Sequence, residues 1–169
     1  STGIVVDENY VLRIPESLSL EEAAPLLCAG ITCYQPLAEW NAGPGMSVGI
    51  VGLGGLGHMG VKIAAAMGAD VTLISHSPNK EDDGYRLGAS SFLLSSDRDA
   101  MRAAANSMNL IINTASAVTR LDPYMRLLAI DGTMVSVGLP TEAFTISPFT
   151  LTGQRRRLAG TNNGGLPQT

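Results

Sequence analysis

The strongest chemical signal in the chain is Gly52-Leu53-Gly54-Gly55-Leu56-Gly57. Gly52, Gly54 and Gly57 spell G-x-G-x-x-G between an apolar run, Val48-Gly49-Ile50-Val51, and an Ala-rich stretch, His58–Met67. The first glycine permits a tight turn, the second lets backbone approach a pyrophosphate, and the third lets helix and strand pack closely. The free N–H groups of the following helix then face the anion. Alone the pattern is weak, because glycine-rich turns are common. Its place between a strand and a helix, with a second apolar strand about twenty residues on, favours a dinucleotide site over a purely structural turn.

The end of that second strand chooses between dinucleotides. Readers of NAD place an Asp or Glu there to hold the ribose hydroxyls. This chain has Ser75-His76-Ser77-Pro78-Asn79-Lys80, with no carboxylate before Glu81. The hydroxyls of Ser75 and Ser77 and the ammonium of Lys80 suit a 2′-phosphate, which an acid would repel. NADP is therefore expected ahead of NAD, with His76 at the ribose end of the site. The plain alternative is a solvated loop, since Ser, Pro and Asn are ordinary turn formers.

Cys28 and Thr32 are four apart and can share a helix face, with Cys33 pointing elsewhere. A lone helical Cys is most often a buried small hydrophobe. A zinc site needs three or four ligands, and the chain offers two Cys and two His. His58 sits at the glycine loop and His76 at the ribose end, so neither gathers around Cys28. Any zinc here would draw its other ligands from outside this chain. His58 reads as a helix-start residue rather than a base, and no Ser–His–Asp arrangement has a supporting signature.

These residues need elements to position them. Short apolar segments at 48–51, 71–74, 91–94, 110–113, 133–137 and 158–161 read as strands. Helical stretches alternate with them: 58–67 stopped by Gly68, 80–87 weakened by Gly84, 97–105 capped by Ser96, and 121–128. A loop containing Pro140 and Pro148 precedes the last strand. Strands without polar–apolar alternation, separated by helices, mean a parallel sheet covered on both faces. The fold expected is α/β: a doubly wound, six-stranded parallel sheet, in the order 3-2-1-4-5-6 by analogy with such folds. Upstream, Ser19-Leu20-Glu21-Glu22 is a capping box. It predicts a helix through Ala23–Leu27, a break near Gly30 and a second short helix to Trp40. Ile4–Ile14 reads as a strand pair around an Asp-Glu-Asn turn, closed by Pro15.

A length of 169 residues fits one sizeable domain. Hydrophobic residues at 45%, charged ones at 15% and a mean hydropathy of +0.18 exclude a disordered chain. With aromatics at 5%, the core must be built from Ala, Val, Leu, Ile and Met. A net charge of −4 disfavours nucleic acid as a partner. The apolar stretch 48–67 carries six glycines, His58 and Lys62, so no membrane span is expected. Two cysteines make no disulfide framework, and a reducing cytoplasm is expected. No basic region precedes an apolar run, so no signal peptide is expected. The opening on Ser1 rather than Met reads as the cut end of a longer chain.

Ala24-Pro25-Leu26-Leu27-Cys28-Ala29-Gly30-Ile31-Thr32, the glycine loop continued by His58-Met59-Gly60-Val61-Lys62, Val137-Gly138-Leu139-Pro140 and Leu158-Ala159-Gly160 together resemble one family. It is the cinnamyl alcohol dehydrogenase branch of the zinc-dependent medium-chain alcohol dehydrogenases, and the resemblance covers essentially the whole chain. That family joins a GroES-like catalytic domain to a Rossmann domain. It oxidises primary alcohols, or reduces aldehydes, with NADP(H) and a catalytic zinc. The resemblance implies that residues 1–18 are a remnant of the catalytic domain and 19–169 the NAD(P)-binding Rossmann domain. It implies Cys28 as one zinc ligand, with the others absent from this chain. Gly52 to Gly57 would hold the pyrophosphate, and Ser75, Ser77 and Lys80 the 2′-phosphate. Thr32 would contact the nicotinamide half, Thr114 and Gly138 the cofactor at the fourth and fifth strand ends. Thr161, Asn162 and Asn163 would pass the nicotinamide near a homodimer interface made by Leu158–Thr161. Three places depart from the family. Thr161-Asn162 replace a Ser and an apolar residue, Asp82-Asp83-Gly84 replace a better helix former, and Arg155-Arg156-Arg157 is more basic than usual. The plain reading of those arginines is a solvated turn.

The leading expectation is thus the cofactor domain of an NADP-dependent zinc alcohol dehydrogenase acting on a small alcohol or aldehyde, inactive by itself. A second reading is a dinucleotide-sensing module of a regulator, which has no need of Cys28 in its apolar context. A third, an FAD or S-adenosylmethionine domain, is disfavoured by the Ser-x-Ser strand end.

Overall fold

The computed structural model describes residues 3–165. The apolar runs form β1 (Ser47–Val51), β2 (Asp70–Ser75), β3 (Ser91–Leu94), β4 (Met108–Asn113), β5 (Leu128–Ser136) and β6 (Arg157–Gly160). They make one sheet in the order β3-β2-β1-β4-β5-β6, parallel throughout. The chain winds outward in both directions from the β1–β4 boundary. Ligands of such sheets bind at the carboxyl ends of the strands beside that boundary.

Neighbouring strand residues feed opposite faces, which is why the strands read as unbroken apolar runs. Ile50, Leu73, Leu110 and Ile112 join α3 (Gly55–Ala66) and the end of α2 (Ile31–Glu39) in one core. Val51, Ile74, Ile111 and Met134 join the other, under α5 (Arg98–Ala103), α6 (Asp122–Met125) and α7 (Pro148–Thr152). The remaining helices are α1 (Leu20–Pro25) and α4 (Glu81–Leu87), the latter closed by Gly88 at φ +109°.

Several expectations need correction. Residues 4–14 form no strand pair; they contain one 3-10 turn, Glu8–Tyr10, capped by the Asp7 side chain. Ile4 and Val5 are 82% and 99% exposed, so a strand there has no apolar surface to bury. The capping box forms, with Ser19 Oγ accepting from Glu22 N at 3.2 Å. The helix it starts does not break at Gly30. It passes through a π-helical turn, Leu26–Gly30, directly into α2. Asp97 rather than Ser96 caps α5, accepting from the N–H groups of Asp99 and Ala100 at 3.0 Å each. The proline loop contains α7, whose start is capped from a distance. The Asp122 carboxylate accepts from Ser147 N at 3.1 Å and from Thr150 Oγ1 at 2.5 Å. β5 begins at Leu128 and consumes the predicted end of the preceding helix. A register shift between Met108 and Leu110, and Asp131 at φ +62°, let it run through polar residues. Of the expected domain limits, residues 1–2 and 166–169 lie outside the described residues.

Candidate cofactor site

Gly52 leaves β1 at φ +90°, a conformation that side-chain-bearing residues rarely adopt. Its N–H donates to Ile74 O at 2.9 Å, tying the turn to β2. At Gly57 a Cβ would stand 2.1 Å from Gly52 O, so the third glycine lets α3 lie against the turn. Gly54 and Gly55 differ: a Cβ at either would meet no atom within 4 Å. The loop therefore needs these two for no internal packing reason, and their exposed backbone suits the close approach of an anion. Gly54 is the N-cap of α3 and offers no side chain, so the first N–H groups of that helix have no side-chain acceptor. Leu53 and Leu56 pack on the core and anchor the loop from beneath. His58 is an exposed residue of the first turn of α3, with its N–H donated to Gly54 O at 2.9 Å.

At the end of β2, Ser75 is 6% exposed. Its Oγ accepts from Ser77 N at 3.1 Å, and Ser77 O accepts from Lys80 N at 3.2 Å. Ser75 thus shapes the turn, Ser77 and Lys80 are half-buried on it, and His76 is exposed. Lys80 Nζ lies 3.9 Å from Asp83 Oδ2, a contact loose enough for the ammonium to turn to another anion. Asp83 is thus the acid that reaches the expected phosphate reader, while Asp82 is exposed.

The ends of β4 and β5 close the opposite wall. Thr114 Oγ1 donates to Val51 O at 2.8 Å, so its hydroxyl pins the strand ends together. A Cβ on Gly138 would come within 3.0 Å of the Thr114 and Ala115 backbones. Between them lies Asn113, which sequence reading missed. It is fully buried, and its O accepts from the N–H groups of Val137 and Gly138 at 3.0 Å each. Its Oδ1 accepts from Ala115 N at 3.3 Å, and its Nδ2 has no partner among the described residues. The available signal was an amide ending the apolar run Leu-Ile-Ile. Beyond Gly138, a groove of about 560 Å³ runs past Leu139, Phe144, Thr161 and Asn162.

Thr32 and Asn163 meet across the chain, Thr32 Oγ1 donating to Asn163 Oδ1 at 3.3 Å. Thr32 is buried, while Cys28, four residues earlier, is exposed. The buried small hydrophobe is Cys33. It donates to Leu56 O at 3.1 Å, and burial pushes its thiol from 9.0 to about 12. No group of three His, Cys, Asp or Glu able to hold a metal occurs among the described residues. Cys28 alone does not fit a zinc ion, which needs further ligands.

A doubly wound sheet with this glycine turn at its switch point is the architecture of a dinucleotide-binding domain. The chain belongs to the zinc-binding dehydrogenase family, whose model matches residues 55–169. It is 56% identical, over all its 169 residues, to NADP-dependent alcohol dehydrogenase C 1 of Mycolicibacterium smegmatis, and covers 48% of that protein. A cinnamyl alcohol dehydrogenase structure from Sorghum bicolor superposes with a TM-score of 0.93 at 45% identity, covering 96% of this chain and 47% of that one. A Helicobacter pylori structure complexed with NADP(H) gives 0.86 at 37%, covering 98% and 47%. The chain thus spans about half the length of the curated relatives it matches. No helix among the described residues is long and apolar enough to cross a membrane.

Proposed function

We propose that this chain is the cofactor-binding half of an NADP(H)-dependent zinc alcohol dehydrogenase, whose substrate is a primary alcohol or aldehyde. One observation carries the reading. The open backbone at Gly54 and Gly55 adjoins a β2 end that presents hydroxyls and an ammonium and no carboxylate. The names of the Mycolicibacterium relative and of the Helicobacter complex support the same cofactor.

The bound cofactor would supply or accept the hydride. Gly52 to Gly57 hold its pyrophosphate through backbone N–H groups. Ser77 and Lys80 read the 2′-phosphate, and Ser75 orients Ser77, with His76 at the rim. Thr114 and Gly138 keep the strand ends flush beneath the cofactor. Thr32, fixed by Asn163, lies with Thr161 and Asn162 on the nicotinamide side. Cys28 is a single zinc ligand, and its exposed thiol waits for ligands that this chain does not contain. Residues 1–18 are taken as the end of the catalytic domain and 19–169 as the cofactor domain, in a cytoplasmic parent.

Two copies would join at β6. Among the described residues it pairs with β5 alone and leaves its other edge open. The arginines at and before β6 have partners of their own, Arg155 and Arg157 while still exposed. Arg155 and Arg157 both pair with Asp131. Arg156 turns inward to Leu128 O at 2.9 Å and Thr150 O at 3.0 Å. Sedimentation equilibrium at micromolar concentration tests the dimer; a single-chain mass throughout rejects it. Calorimetric titration with NADPH and NADH tests the cofactor reading. NADPH should bind more tightly, and equal affinities or a preference for NADH would overturn it.

A further inference from the structure

On the sheet face away from α3, α5 and the segment 120–126 flank a groove of about 610 Å³. Arg98, Arg102, Arg120 and Arg126 line it. Arg102 is engaged by Asp99 at 3.1 Å. The side chains of Arg98, Arg120 and Arg126 make no hydrogen bond or ion pair among the described residues. Asp122 is the one acid in the lining, and it is already committed to Ser147 N and Thr150 Oγ1. The Thr150 bond, then that of Ser147, then the charges of Arg126 and Arg120 hold its carboxyl below the usual range. Burial, and after it the charge of Arg126, lowers Arg156 nearby. Three of the four gathered cations thus have no partner, against the chain's overall charge of −4. Such an arrangement is stabilised by a bound anion.

We propose that this groove binds a phosphate-bearing small molecule. Guanidinium groups match phosphate oxygens in paired hydrogen bonds. Ser95 and Ser96 add hydroxyls at one end, and Met101, Ala105 and Pro123 provide an apolar wall for the body of the ligand. The volume falls within the roughly 300–1,000 Å³ of small-molecule sites. None of the lining residues belongs to the glycine loop or to the turn after β2, so the site is separate from the one proposed for the cofactor. The two are near neighbours all the same, because Ser95 N donates to Ser75 O at 2.8 Å.

Calorimetric titration with inorganic pyrophosphate at low ionic strength provides the test. It compares the wild-type chain, the double variant R98E/R120E and K80E, each checked by circular dichroism for an unchanged fold. The wild type should bind saturably. R98E/R120E should bind at least about tenfold more weakly, while K80E stays within about twofold. Saturable binding unchanged in R98E/R120E, whether or not K80E weakens it, would put the anion at the glycine loop or the turn after β2 and overturn the proposal. Non-saturating heats, equal in all three and abolished by salt, would overturn it as diffuse screening.

Discussion

The two kinds of glycine in the loop should fail in different ways. In Gly57→Ala the new Cβ would lie 2.1 Å from Gly52 O, where real Cβ contacts do not fall below 3.0 Å. The start of α3 must therefore retreat from the β1 turn by about 0.9 Å, and Thr114 Oγ1, 3.1 Å from the same Cβ, resists a sideways shift. Overpacking of this kind costs about 1–3 kcal/mol, and a backbone neighbour puts it at the upper end. Better helix propensity returns up to about 1 kcal/mol. The net loss of about 2 kcal/mol lowers Tm by about 4–8 °C in a chain of this size. Gly54→Ala meets open space at an unstrained φ of −93°, so Tm should move by less than about 2 °C. Its methyl instead occupies the space through which a pyrophosphate approaches, and NADPH affinity should fall at least about tenfold, or 1.4 kcal/mol. Thermal melts by circular dichroism and calorimetric NADPH titration read both variants. A G54A chain with wild-type affinity refutes the cradle, and a G57A chain with wild-type Tm refutes the packing argument.

Ser77→Asp should reverse the cofactor preference, since a carboxylate about 4 Å from the 2′-phosphate costs on the order of 1–4 kcal/mol per charge pair; paired NADPH and NADH titrations measure it. Iodoacetamide at mildly alkaline pH should label exposed Cys28 and spare Cys33 until denaturant is added, as peptide mass spectrometry would record. The raised pKa of Cys33 also means that its native state keeps a proton which the unfolded chain releases. Its contribution to stability is complete below 9.0 and is lost as pH rises toward about 12, and replacing Cys33 by Ala should flatten that alkaline limb of Tm. Asp122 has the opposite sign. Its folded pKa is lowered, so its contribution is present above 3.8 and disappears as pH falls through the folded value. The Tm difference between wild type and Asp122→Asn should therefore shrink in acid below 3.8, and a constant difference would reject the assignment.

Where local physics decides, the sequence was legible. Buried strands of a parallel sheet announce themselves as apolar runs, and β3 lies at the predicted residues. The capping box names its own partners, Ser19 and Glu22. Alternation of strands and helices indicated the doubly wound sheet, and the strand order came by analogy with that fold. What escaped depends on distant partners. α7 is capped by Asp122 from a different segment. β5 starts early because Leu128 pairs with Met108 across a register shift. Arg156 looked like surface charge and is a bracket across Leu128, Thr150 and Asn106. Asn113 sits among apolar residues, where an amide is retained only if its backbone and side chain hold neighbouring loops in place.

The placement of Cys28 shows how a local irregularity reaches the site. An uninterrupted α-helix would put residues four apart on one face. Pro25 has no N–H to donate, and the five residues after it, Leu26–Gly30, adopt the wider π repeat. A π turn shifts the phase of everything after it relative to everything before. Thr32 and Cys33, after the turn, are buried, while Cys28, within it, is exposed. If the turn sets that difference, a regular helix would bring Cys28 to the buried face with Thr32. With the π turn, one chain presents a protected thiol inside the domain and an accessible one at its surface, five residues apart. A Pro25→Ala chain that restores a regular ladder should lose alkylation of Cys28 while leaving the sheet unchanged. Persistent labelling, with a native circular dichroism spectrum, would show that the proline does not set the phase.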